Sequence, residues 1–348
     1  MKTNTEAYLV EIPGCRIPNL DPFDISVRHL IKPATIRTCL TDSNFTYVKN
    51  MTIYVNWSVI KFSNYHSTFS NCTFQSIDRP ENDPGLSSDF VKVSNESKRF
   101  NTSIRYDSEF IRVKCFDITD KLMYTNFYCT VIEKPDSERR KTALQESSRK
   151  KHPNIENFNV LLIGIDSVSR LNSIRYMNKT RSFLLNTLNA TELIGYNKVA
   201  DNTFVNIIPM IAGKFVEELP WDESMIHDPF DEYQFIWKDF ASRGYRTLFV
   251  EDAPEMAMFD FMKGGFKHAP TDYYNRHFAL TMEEGNEDVW FDDHQCIVDK
   301  LETKLYLDYV RDFVALMKDK PHFGFSFMTR LTHTGSIEDV GAADDSLF

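Results

Sequence analysis

Residues 157–166 read NFNVLLIGID. A continuous apolar run of this length marks a strand buried on both faces of a parallel sheet. It ends on an acid, Asp166, which opens DSVSR (166–170). Outward from this run, helical and extended patterns alternate. TRSFLLNTLN (180–189) has helical spacing, and TELIGYNKV (191–199) reads as a second strand. DEYQFIWKDFASRG (231–244) reads as an amphipathic helix closed by Gly244, and YRTLFVED (245–252) as the next strand. KLYLDYVRDFVALMKDK (304–320) predicts another amphipathic helix, and HFGFSFMTRLTH (322–333) a further buried strand. Together they predict an α/β domain over residues 154–348, with a mostly parallel sheet flanked by helices.

The chain upstream has a different texture. Residues 1–132 alternate apolar and polar in short runs such as YVNWSVI, DFVKVS, RFNTSIRY, FIRVKCFDI and NFYCTVI. Period two, broken by Asn, Ser, Pro and Gly, predicts a β-rich antiparallel module. Between the two regions, EKPDSERRKTALQESSRKKHP (133–153) is charged and nearly free of apolar residues, which reads as a solvated linker.

Composition narrows the partners. The 348 residues are 42% hydrophobic and 26% charged, with a formal charge of −10. Such an acidic balance predicts no nucleic-acid partner, since phosphate backbones need a basic face. No run approaches the ~20 apolar residues of a membrane helix, so no membrane span is expected. The start, MKTNTEAYLVEIPGC, has no apolar core of a signal peptide. Yet eight Asn-x-Ser/Thr sequons occur, at Asn44, Asn50, Asn56, Asn71, Asn95, Asn101, Asn178 and Asn189, against roughly three expected by chance. Five of the six cysteines crowd the first 130 residues without a CxxC pair, so oxidised pairs are expected rather than a zinc or redox motif. Both features predict an extracellular or secretory-pathway protein.

In parallel α/β sheets, ligands bind at the carboxyl ends of strands. That rule selects Asp166, Thr203 with Asn206, Asp252 and His333. Asp166 either caps the following helix or holds a metal. In ADNTFVNIIPMIAG (200–213), Thr203 opens a helix, where backbone N–H groups and the dipole favour an anion, and Asn206 lies one turn on. The competing reading is capping by Asn202 or Thr203. The cluster FDDHQC (291–296) is expected to be a loop with Cys296 in a disulfide, because adjacent extended residues point to opposite faces.

Asp166 at a strand end, followed by TFxN and a small-residue helix end, resembles the alkaline phosphatase and sulfatase superfamily. More narrowly the chain resembles a metazoan family called domain of unknown function 229. The resemblance spans nearly the whole chain, through IPGCRIPNLDPFD (12–24), NVLLIGIDSVSR (159–170), GYNKVADNTFVN (195–206), GYRTLFVEDAPE (244–255), PTDYYNR (270–276) and FGFSFMTRLTHTG (323–335). It implies a metal-dependent hydrolase of phosphate or sulfate esters, using a divalent ion such as zinc, manganese or calcium. Within it, Asp166 matches a metal ligand and Thr203 the nucleophile that also touches the metal. Asn206 matches a helper on the transferred group, and His333 a histidine facing the substrate oxyanion. Arg170 and Asp252 match motif positions without a role.

Sulfatases proper carry a modified Cys where this chain has Thr203, so phosphoester chemistry fits better. The superfamily completes its metal site with a later Asp-His pair in a Ser-Asp-His-Gly-like motif, which is not in this sequence. The expectation is therefore a truncated α/β domain whose C-terminal part is missing, inactive as it stands. The alternative is a non-catalytic extracellular protein that binds glycans or other proteins.

Overall fold

The computed structural model describes residues 7–34, 39, 44–80, 89–154, 156–284, 290–291, 296–333 and 337–347. Its contacts divide the chain into two units. The first comprises residues 1–37, 165–219 and 331–348, the second 38–164 and 220–330.

The second unit holds the parallel sheet. Arg246–Glu251 and His322–Met328 pair in parallel, and every residue of both strands is buried. Tyr273–Tyr274 adds a parallel strand beyond Arg246–Glu251, and Val160–Ile165 lies at the opposite end. The core is aromatic: the Phe249 ring stacks on Phe325 at 5.4 Å and on Trp237 at 5.6 Å. Trp237 comes from the helix Ile236–Ser242. Gly164 makes close packing possible, because a Cβ there would sit 2.2 Å from the Phe327 ring.

One expectation needs correction here. The Val160–Ile165 strand ends the sheet, and Leu161 and Ile163 stay 39% and 46% exposed. A short apolar run reads the same with one face covered as with two, so hydropathy placed it too deep.

The antiparallel strands also belong to this unit. Phe69–Asp78, Phe110–Asp117 and Leu122–Cys129 form one ladder, with Lys92–Val93 on its outer side. Thr46–Lys49, Thr52–Val55 and Ser103–Arg105 form another. In YVNWSVI the extended run stops at Val55, and Trp57–Ile60 turns into a short helix. Cys72 lies directly opposite Cys115 and is bridged to it, while a second disulfide joins Cys39 to Cys296. Cys15 and Cys129 are free thiols. Cys296 is thus oxidised as expected, whereas residues 292–295 of FDDHQC lie outside the described residues. No helix among the described residues is long and apolar enough to cross a membrane.

The charged stretch read as a linker is a helix, Pro135–Lys151. Proline opens it, Asp136 and Glu138 occupy its first turn, and Arg149, Lys150 and Lys151 its last, all matching the helix dipole. Its charges are partly spent inside the unit. Glu138 accepts 2.7 Å from buried Arg246, and Lys141 pairs with Asp272 at 2.9 Å. The division of the chain consequently does not follow the expected boundaries at 132 and 154.

The first unit is helical, with one hairpin of Tyr8–Ile12 and Cys15–Pro18. Its helices are Arg170–Tyr176, Asn178–Ser182 continuing as a π-turn to Thr187, Thr203–Ala212 and Val340–Leu347. The helix Thr203–Ala212 buries Phe204, Ile208 and Ile211 in the unit's interior, which also holds two small clusters. Tyr176, Met177 and Val340 make one, and Leu331, Ala342 and Ala343 the other, against which Ile165 packs. The Asp344 carboxylate accepts from the backbone N–H of Lys179 at 3.0 Å and Thr180 at 2.8 Å, capping the helix begun at Asn178. The second strand expected at 191–199 is not formed; Leu193 is 70% and Tyr196 68% exposed.

Candidate functional site

Three of the five selected side chains meet in the first unit, and Asp166 is their hub. The chain leaves the strand at Ile165, passes Asp166 and turns through Ser167 at φ +58°, a left-handed value costly for serine. Asp166 is only 7% exposed. A buried carboxylate needs partners, and it has three. Thr203 donates from Oγ1 to Oδ1 at 3.0 Å, Ser167 from Oγ to Oδ2 at 3.1 Å, and His333 from Nδ1 to Oδ2 at 2.5 Å. His333 closes the short helix Arg330–His333, and its side chain is 44% exposed.

Thr203 is the first residue of the helix Thr203–Ala212, preceded by Asn202 at φ +60°. The capping alternatives are not used. Asn202 makes no side-chain cap, and the helix after Asp166 is capped by Ser169, whose Oγ accepts 3.2 Å from Asn172 N–H. Two left-handed residues, Ser167 and Asn202, thus flank the two side chains that touch. Backbone strain of this kind gathers where a site requires it.

Asn206 does something other than the resemblance implies. Its Oδ1 accepts from Val199 N–H at 2.7 Å, and its Nδ2 donates to the carbonyls of Ala200 and Asn202 at 2.7 and 2.6 Å. The amide clasps the loop that delivers Thr203, and so positions the hydroxyl indirectly. The same contacts explain the missing strand. Backbone groups at 199, 200 and 202 are tied to a side chain rather than to a ladder.

Arg170 and Asp252 are structural. Arg170 and Arg181 both pair with Glu192 at 3.0 Å. Burial opposes ionisation of Glu192, but the two guanidinium groups outweigh it and hold its carboxyl below the usual range. Asp252 belongs to the second unit and is fully buried. It accepts from Thr329 N–H at 2.6 Å and Thr303 Oγ1 at 3.2 Å, anchoring the chain just past His322–Met328. Burial still pushes its carboxyl up to about 6.

As a metal centre the cluster is half built. Asp166, His333 and Thr203 offer one carboxylate, one imidazole and one hydroxyl, and no three His, Cys, Asp or Glu side chains converge among the described residues. A four-coordinate ion would draw further donors from elsewhere, so no step below is routed through one. Sequence reasoning missed Ser167 and Asp344. The first acts through a backbone angle, and the second caps a helix some 165 residues earlier in the chain.

A family model described as "Protein of unknown function (DUF229)" matches residues 32–348. No curated protein and no solved structure matches the chain.

Proposed function

The chain belongs to the DUF229 family, and from that premise we propose that it is an extracytoplasmic hydrolase of phosphoric or sulfuric esters, akin to alkaline phosphatases and sulfatases, with Thr203 as nucleophile. The observation that carries the reading is the meeting of Thr203 and His333, 130 residues apart, on the single buried carboxylate of Asp166. A hydroxyl at a helix N-terminus, hydrogen-bonded to a carboxylate, is placed where an anionic ester is favoured and where its proton has an acceptor.

In the proposed reaction, Thr203 Oγ1 forms a bond to the phosphorus of the ester and its proton passes to Asp166. The ester oxygen leaves as an alcohol, taking a proton from a water molecule, and the hydroxide so formed takes back the proton held by Asp166. Water then cleaves the phosphothreonine, releasing phosphate and restoring the hydroxyl. His333 donates to Asp166 Oδ2 and so leaves Oδ1 to Thr203. The eight sequons, five of them exposed (Asn50, Asn95, Asn101, Asn178 and Asn189), and the two disulfides support the extracytoplasmic setting.

A second reading, a non-catalytic protein that binds glycans or proteins, is favoured by one observation. Asn206 has spent its amide on the backbone and has none left for a transferred group.

Aryl phosphate mono- and diesters, with an aryl sulfate alongside, test both. Turnover with an acid-stable phosphate on Thr203 by mass spectrometry, lost in Thr203→Ala and partly kept in Thr203→Ser, is the expected result. Undiminished turnover in Thr203→Ala overturns the nucleophile. Saturable binding of the esters without turnover supports the second reading.

A further inference from the structure

In the second unit, the small sheet of Thr46–Lys49, Thr52–Val55 and Ser103–Arg105 buries Ile53 and Val55 on one face and leaves the other outward. Pairing sets Tyr47, Tyr54 and Ser103 side by side in one outward row, and Lys49, Thr52 and Arg105 in the next. The Tyr47 and Tyr54 rings stack at 5.3 Å, 14° from parallel. Tyr47 is 45% exposed, and Ser103, on the other side of Tyr54, is too small to cover the second face of that ring. Exposed, paired tyrosines among polar neighbours are the usual makings of a contact surface.

What covers them can come from the end of the same hairpin. Asn50 and Met51 form its turn, at φ +50° and +54°, as a two-residue turn of this hand demands. Asn50 is exposed and begins the sequon Asn50-Met51-Thr52. The sequon's hydroxyl, on Thr52, lies in the row beside the tyrosines and donates from Oγ1 to the Asn50 carbonyl at 3.3 Å. At a rise of ~3.3 Å per residue the two rows are about 7 Å apart, so a sugar chain attached at the turn crosses Lys49 and Thr52 and reaches the rings with its first units. One side of a pyranose is a sheet of C–H groups, which packs on the electron-rich face of an aromatic ring while the hydroxyls stay in water. The tether also keeps the local concentration of that sugar high. A second sequon, Asn101-Thr102-Ser103, begins at the opposite end of the sheet, where Trp57 Nε1 donates to the Asn101 carbonyl at 2.8 Å.

We infer that Asn50 carries an N-linked glycan whose first sugars pack on the Tyr47–Tyr54 pair and hold this hairpin, an inference that rests on the extracytoplasmic setting proposed above. In the modification the Asn50 amide nitrogen bonds to the anomeric carbon of a polyprenyl diphospho-oligosaccharide and loses one proton. The anomeric C–O bond breaks, and the polyprenyl diphosphate leaves with the electron pair. The whole protein, secreted from eukaryotic cells, tests the assignment. Glycopeptide mass spectrometry reads occupancy, and thermal melting compares wild type, Asn50→Gln, Tyr47→Ala and the double variant. Asn50 should be occupied, and Asn50→Gln should lower the melting temperature by about 2–4 °C. That loss should be at least halved when Tyr47 is already replaced. Should the variants fail to be secreted, glycosidase treatment of the folded wild type replaces them: trimming to a single sugar should keep most of the stabilisation and complete removal should abolish it. A bare Asn50 beside occupied sequons elsewhere overturns the inference, as do additive losses, or coupling of Tyr47→Ala to Asn101→Gln in place of Asn50→Gln. Absence of glycan from all eight sequons overturns the extracytoplasmic setting itself, and this inference with it.

Discussion

The two units use polar groups in opposite ways. In the unit that holds the parallel sheet, buried ion pairs sit within an aromatic interior. Arg330 is the clearest case: Glu302, Glu283 and Glu255 all reach its guanidinium. In the unit that holds Asp166, the buried apolar groups are small, and apolar side chains such as Leu193 and Val199 stand in the open. There the polar cluster of Asp166, Thr203 and His333 sits at partly exposed loop ends, with left-handed residues beside it. The contrast separates a scaffold, where polar groups are buried for architecture, from a site, where they are left within reach.

Four changes would break or sharpen that contrast. Phe249→Ala removes the ring that stacks on both Trp237 and Phe325, and should lower unfolding free energy by about 3–5 kcal/mol in denaturant titration. A loss under 1 kcal/mol would mean the aromatic interior is not the scaffold.

Next in size is pH. Burial raises Glu251 and Glu302 to about 8 and Asp252 to about 6. Raised folded values mean that the folded chain binds more protons than the unfolded one, so their contribution is full at low pH and fades as pH rises through 6 to 8. His277, lowered to about 3, acts oppositely but only between 3 and 6.5. The melting temperature should therefore fall from pH 6.5 to about 8, through Glu251 and Glu302, and level off above that. A flat profile over that window would refute the assignment of these carboxyls.

Asn206→Ala should cost about 1 kcal/mol, because a clasp of side-chain-to-backbone bonds is lost on an exposed loop. It should cut ester turnover more than stability, and Asn206→Asp, which keeps the acceptor for Val199, should recover part of it. Equal activity in the wild type and Asn206→Ala would sink the positioning role. Smallest of all, Leu193→Ser should change stability by less than about 0.5 kcal/mol, as its side chain is already in solvent. A larger loss by thermal melting would show that the open apolar face is covered in solution.

Much of the scaffold was legible in the sequence. Arg246–Glu251, His322–Met328 and Glu302–Leu316 fall where runs and helical spacing predicted them, since burial there follows from local pattern. Pro135–Lys151 was misread because its decisive partners, Arg246 and Asp272, lie more than 100 residues away. A charge run looks solvated until its counter-charges are found. The stretch 191–199 failed for a related reason, in that Asn206 captures the backbone at its end. At the site, local pattern placed Thr203 on a helix start, but only the family resemblance linked Asp166 to His333.

The disulfide between Cys39 and Cys296 spans 257 residues, whereas Cys72 and Cys115 are 43 apart. On a ribosome adding roughly 5–20 residues per second, the first cysteine of the long pair is made some tens of seconds before its partner. Through that interval Cys39 is an open thiol beside four earlier-arriving mates, Cys15, Cys72, Cys115 and Cys129. The short bridge, closed as soon as both its strands emerge, takes two of those wrong partners out of circulation, leaving oxidative assembly an order written into residue spacing.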